Sequence, residues 1–116
     1  MTFYNRNGIP IAYEDNGIYL FNGKPVAYID GNAVYGYNGK HLGWYDNGWI
    51  RDLSGCCVFF TKNASGFGPL KPLTRIEPIK SVKQVKPVKF VRQAKYVRSV
   101  DSMAWSSLSG EIFFMQ

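Results

Sequence analysis

Gly8, Gly23, Gly39 and Gly55 fall 15, 16 and 16 residues apart, and the chain around each repeats with them. Asn7, Asn22, Asn38 and Ser54 stand immediately before. Three residues after each glycine come Ile11, Val26, Leu42 and Val58, and five residues after come Tyr13, Tyr28, Trp44 and Phe60. Side chains two apart on a strand share a face, so each repeat is expected to present one aliphatic and one aromatic residue together. The position between holds Ala12, Ala27, Gly43 and Phe59, and its small residues suggest close backbone approach on the other face. A second set of turns, Asp15-Asn16-Gly17, Asp30-Gly31-Asn32 and Asp46-Asn47-Gly48, lies between the first. Asn-Gly and Asp-Gly supply the positive φ angles of tight hairpins.

The spacing predicts strands near 9–13, 18–21, 24–28, 33–37, 40–44, 49–53 and 56–60. One hairpin alone is marginal in water. Four equivalent ones bury their faces around a pseudo-fourfold axis, and the expected centre is the Tyr13, Tyr28, Trp44, Phe60 column. An exposed aromatic platform for sugars or bases is the competing reading. Composition agrees with a β-rich folded domain: 46% apolar, 16% aromatic, 12 glycines and only 19% charged residues.

From Leu70 the pattern changes. Apolar residues fall at every third position: Leu70, Leu73, Ile76, Ile79, Val82, Val85, Val88, Val91, Ala94, Val97 and Val100. Basic residues follow most of them, at Lys71, Lys80, Lys83, Lys86, Lys89, Arg92, Lys95 and Arg98. An α-helix drifts by about 60° per triplet, a strand alternates, and long 3₁₀ runs are uncommon. Polyproline II has three residues per turn and accommodates Pro78 and Pro87. An extended polyproline-II-like or parallel-solenoid path is therefore expected; a disordered basic tail is the alternative. Thirty-one residues at ~3.1 Å reach ~96 Å, too far to lie straight on a small head. The segment must wrap, fold back, project or pack on copies of itself. An apolar stripe this long predicts self-association, with valines toward a common axis, lysines outward, and a cyclic trimer favoured.

The charge is split. Residues 1–66 carry five basic and five acidic residues, whereas 67–116 carry nine basic and three acidic, so the whole +6 belongs to the second part. Seven cations recur every third residue over Lys80, Lys83, Lys86, Lys89, Arg92, Lys95 and Arg98. A linear array of this kind suits nucleic acid, an acidic glycan or lipid headgroups, and Phe90 and Tyr96 beside it could stack on bases. The bland reading is a solvating face.

Leu108-Ser109-Gly110 echoes Leu53-Ser54-Gly55, with Trp105 standing near its turn as Trp49 does near its own. The expected organisation is therefore a four-hairpin head over 1–66, an extended triplet segment over 67–101, and a C-terminal partial repeat or hairpin over 102–116.

Groups capable of catalysis or metal binding are few. Cys56 and Cys57 project to opposite faces of a strand and lack the partners that zinc needs; unpaired cysteines fit a reducing compartment. His41 replaces Pro10, Pro25 and Cys57 of the other repeats. It would need Asp46 or Asp52 to act as a general base, and a surface histidine is the simpler reading. Asp15, Asp30 and Asp46 form an expected ring on one rim that calcium or acid-base chemistry could use, although turn chemistry alone explains them. No catalytic, cofactor or metal site is expected. No apolar run is long enough to span a bilayer and no signal peptide opens the chain, so a cytoplasmic, non-enzymatic protein is the expectation.

Phe3-Tyr4-Asn5-Arg6-Asn7-Gly8, the Asn-Gly-Lys triplets at 22–24 and 38–40, Gly48-Trp49-Ile50-Arg51-Asp52, Pro69-Leu70-Lys71-Pro72-Leu73 and Trp105-Ser106-Ser107-Leu108-Ser109-Gly110 resemble the bacterial 4-fold β-flower family over nearly the whole chain. That resemblance implies four hairpin petals and carries no catalytic residue or reaction. The fold expected is thus all-β: four hairpins, an extended segment, and a C-terminal hairpin. The function expected is a structural or protein-interaction module that self-assembles through the apolar stripe, with binding of an anionic polymer through Lys80–Arg98 as the alternative.

Overall fold

The computed structural model describes residues 1–116. Eight short antiparallel strands close into a barrel in sequence order: β1 (Thr2–Tyr4), β2 (Pro10–Glu14), β3 (Ile18–Leu20), β4 (Pro25–Asp30), β5 (Ala33–Tyr35), β6 (His41–Asp46), β7 (Trp49–Asp52) and β8 (Cys57–Phe60). The sequence pattern misses β1, a three-residue strand. It pairs with β8 at Tyr4–Phe60 and removes both free edges. The turns are those the dipeptides specify. Asn16-Gly17 and Asn47-Gly48 take positive φ at both residues, 55° and 131°, then 51° and 84°.

Four equivalent bulges set what faces inward. Each register skips one residue: Ile11 between Pro10 and Ala12, Val26 between Pro25 and Ala27, Leu42 between His41 and Gly43, Val58 between Cys57 and Phe59. A bulge resets the alternation of faces. The aliphatic and aromatic positions of each repeat consequently separate, contrary to the sequence expectation. Ala12, Ala27, Phe59, Phe3, Ile18, Val34 and Ile50 fill the barrel, with the bulge residues packed on or among them. Tyr13, Tyr28, Trp44 and Phe60 instead stand on the outer wall in three separate clusters with Tyr19, Tyr35 and Trp49. They are not the central column. They are nonetheless buried, because something covers them.

The cover is the triplet segment, which wraps the barrel as a belt. Arg75, Gln84, Gln93 and Ser102 donate main-chain N–H to the carbonyls of Gly8, Gly23, Gly39 and Gly55 at 2.9, 2.8, 2.8 and 3.1 Å. Nine belt residues thus span one petal. At ~3.1 Å per residue, nine residues cover ~28 Å, and four such quarters close a circle ~36 Å across. The molecule is a disc of 36 × 35 × 21 Å, so a polyproline-II rise matches the circumference. No helix of the chain is long and apolar enough to cross a membrane.

The C-terminal hairpin expected from Leu108-Ser109-Gly110 does not form. With β1 sealed to β8, no strand edge is open to a fifth hairpin. Residues 104–106 make one parallel bridge instead: Cys57 N–H donates to Ala104 at 3.0 Å, and Ser106 N–H to Cys57 at 2.7 Å. A 3₁₀ helix, Gly110–Met115, then drops the fully buried Phe113 into the barrel core, edge-on to Phe59 at 6.0 Å. The three segments of the chain are therefore layers of one packed unit.

Candidate interaction belt

Belt residues take their roles from the nine-residue repeat as well as from the triplet. Lys80, Lys89 and Arg98, nine apart, lie over Tyr13, Tyr28 and Trp44 at 4.5, 4.1 and 5.8 Å. Lys83 and Arg92, also nine apart, lie over Tyr19 and Tyr35 at 5.2 and 5.5 Å. Cations over aromatic faces are held by the ring quadrupole, and their methylene stems cover apolar wall. The outer aromatic layer is thus built to receive the basic stripe.

The turn aspartates complete this inner face. Lys83 pairs with Asp15; Arg92 meets Asp30 at 2.7 Å, and Arg98 meets Asp46 at 2.9 Å and Asp101 at 3.1 Å. The hydrogen bond from Lys83 holds the Asp15 carboxyl below its ordinary range and raises Lys83 in return. Burial works against the Arg98 charge, yet its bonds to Asp101 and Asp46 outweigh that and raise it. Lys86 bonds the carbonyl of Asn16, and Lys95 Nζ reaches the turn at Gly31. All seven cations of the stripe are therefore directed at the barrel rather than outward. The aspartate ring is real in position but is spent on belt cations, and no group of three or more His, Cys, Asp and Glu is placed to hold a metal ion.

The apolar stripe faces the other way. Leu70, Leu73, Ile76, Ile79, Val82, Val85, Val88, Val91, Val97 and Val100 are each 82–95% exposed. Valines out and cations in is the reverse of the arrangement expected from sequence. The physical reason lies in reach: long cationic stems span from the belt to the aromatic wall, while the belt's backbone, docked on glycines, leaves no room for short branched side chains beneath it.

His41 is a buried clasp, not a surface histidine. Its Nε2 donates to the Gly43 carbonyl at 2.9 Å, and its Nδ1 accepts the main-chain N–H of Tyr96 at 3.1 Å. The Tyr96 ring stacks on it at 5.7 Å. Desolvation lowers its pKa, against the Gly43 bond that raises it and with Lys95 adding to the lowering. Burial likewise pushes the Cys57 thiol up to about 11, which leaves it an inert packing group; Cys56 is half-buried and free.

Arg51 escaped the sequence reading. Fully buried, it donates Nη1 to the carbonyls of Gly55 and Ser102, both at 2.8 Å, and Nη2 to that of Phe67. It thereby fastens both ends of the belt to one guanidinium. The signal that could have exposed the belt's docking face is the recurrence of Gln84 and Gln93, and of Pro78 and Pro87, at intervals of nine. That period marks four petals in the belt as 15–16 marks them in the head.

The family model described as 4-fold beta flower protein matches residues 1–114. Neither a curated protein nor a solved structure matches the chain.

Proposed function

For this chain, which belongs to the 4-fold beta flower family, we propose the role of a non-catalytic interaction module that assembles with further copies of itself through its outward apolar rim. The observation that carries the reading is the rim: ten aliphatic side chains, each 82–95% exposed, in unbroken triplet register. Burying one such side chain is worth ~1.5–3 kcal/mol, equivalent to ~60–120 Å² at ~25 cal/mol per Å². The ten together offer ~600–1,200 Å², beyond the ~300–600 Å² largest patch of ordinary monomers. Quadrants a quarter turn apart favour head-to-tail contacts that close into a small ring of three or four subunits. The rim residues are Leu70, Leu73, Ile76, Ile79, Val82, Val85, Val88, Val91, Val97 and Val100.

Light scattering on the full chain tests this. The expected mass is three or four times 13.2 kDa. Val82→Ser, Val85→Ser and Val91→Ser combined should yield a folded monomer, since these side chains touch solvent. A monomeric wild type at high concentration would sink the proposal.

Binding of an anionic polymer is the second reading, supported by the net charge of +6 and by Lys80, Lys86, Lys89 and Lys95, which have no carboxylate partner. It requires affinity that falls steeply with salt, and salt-insensitive binding would exclude it.

A further inference from the structure

Behind the belt, where it crosses the β2–β3 turn beside β4, is a cavity of about 150 Å³ walled by Glu14, Gly17, Tyr28, Tyr37, Lys86 and Lys89. Two of its polar atoms have no partner in the protein, the Tyr37 hydroxyl and Glu14 Oε2. Tyr37 is only 8% exposed, and buried polar groups left unpaired are costly. The other Glu14 oxygen is occupied by the Gly17 N–H at 3.3 Å. The Tyr37 hydroxyl and Lys86 Nζ lie 3.4 and 3.5 Å from one point, where a Cβ on Gly17 would stand. Lys89 Nζ sits 4.1 Å above the Tyr28 ring.

The other petals lack this set. The equivalents of Tyr37 are Arg6, Phe21 and Leu53, and those of Glu14 are Ile29, Tyr45 and Thr61. The polar pair is therefore peculiar to one quadrant and is not demanded by the fold. Burial pushes Tyr37 up to about 12, so its phenol remains a donor at neutral pH. The cavity thus offers two ammonium groups and a phenol that donate, and one carboxylate that only accepts.

We infer that this cavity binds an oxyanion in a form that still carries a proton, hydrogen phosphate or the monoanion of a phosphate monoester, whose oxygens accept from Lys86, Lys89 and Tyr37 and whose own O–H donates to Glu14. Sulfate has the same shape and charge but no proton at neutral pH, and its oxygen would face the Glu14 lone pair. A buried carboxylate of this kind discriminates by repelling the wrong anion. The site lies on the inner side of the belt, so it does not depend on assembly through the rim.

Calorimetric titration of the full chain with inorganic phosphate, and with sulfate at matched ionic strength, tests the inference. Phosphate should bind at least tenfold tighter than sulfate. Tyr37→Phe removes a hydroxyl bonded to nothing else in the protein, so the fold should persist by circular dichroism while phosphate binding weakens about tenfold. Glu14→Gln should abolish the preference, because an amide donates to sulfate as well. Equal binding of the two anions, no binding of either, or a Tyr37→Phe variant that binds phosphate like wild type would each overturn the site. Glycerol phosphate and vesicles containing phosphatidic acid distinguish the sources: tighter, Tyr37-dependent binding to vesicles identifies a lipid headgroup, and stronger binding of the soluble anions identifies free phosphate.

Discussion

Arg51 Nη1 donates to the Ser102 carbonyl at 2.8 Å, and the same guanidinium holds the carbonyl of Phe67. Residues 35 apart in the chain, where the belt begins and where it ends, therefore share one buried cation. Asp101 lies 3.4 Å from its Nε and balances the charge. Replacing Arg51 by Leu leaves these carbonyls without a donor at ~1–3 kcal/mol each. We expect Arg51→Leu to cost about 3–5 kcal/mol in urea unfolding and to open residues 62–70 to limited proteolysis. A variant as resistant as wild type would show that the belt is held elsewhere.

Gly39 has φ of 85°, and a Cβ there would run into the Val91 carbonyl of the docked belt. Gly31 has φ of 63° in nearly open space. Alanine pays the same left-handed strain of ~1–2 kcal/mol at both. Gly39→Ala is expected to cost a further ~1–3 kcal/mol because the belt must shift. The difference between the two variants in chemical denaturation measures belt docking directly, and equal losses would mean the contact is slack.

His41 gives the fold a pH dependence with a definite sign. Its pKa is lowered in the folded state, first by desolvation, with Lys95 as the nearby cation. The other groups against it are Tyr35, Trp44 and Tyr96. The stabilisation it provides is complete above the unfolded value of ~6.5 and is lost as pH falls toward the lowered one. Protonation also sets a new N–H against the Tyr96 N–H. Melting temperature should therefore fall between pH 7.5 and 5, and the fall should be smaller in His41→Asn. An imidazole whose NMR titration midpoint lies above 6.5 would contradict this.

Phe113 seals the end of the barrel core. Phe113→Ala should cost ~3–5 kcal/mol, the range for a large buried aromatic, and should free Trp105 less than it frees Phe114, which stacks on Phe59 at 5.3 Å. Tryptophan fluorescence and thermal unfolding read the two effects. A loss below ~1 kcal/mol would mark the 3₁₀ helix as a loose tail.

Much of this architecture is legible in the residues. Gly8, Gly23, Gly39 and Gly55 announce four petals, Asp-Asn-Gly marks the hairpins, and the triplet rules out helix and sheet for the belt. Other features are hidden for physical reasons. A bulge at Ile11, Val26, Leu42 or Val58 leaves no compositional mark, yet it inverts which neighbours face the core. Valine and lysine on alternate stripes do not announce which side faces water, since a lysine stem lies as readily on Tyr13 as in solvent. His41 and Arg51 look like surface residues until the belt covers them. Tyr37 and Glu14 are 23 positions apart and meet only once the barrel closes.

The belt's contacts with the glycine turns repeat every nine residues, so a belt displaced by nine would find the same backbone partners one petal along. Such a structure would be a near-copy of the native one, wrongly indexed. The side chains remove the degeneracy. Pro87 and Pro25 border the same cleft, and neither carries an N–H; one petal on, Tyr96 brings an N–H to His41, which has a nitrogen waiting for it. Displacement by nine in one direction would set Pro87 against His41 and strand its acceptor; in the other direction it would set Tyr96 against Pro25 and strand the Tyr96 donor. His41 thus tells the chain where around the circle to stop.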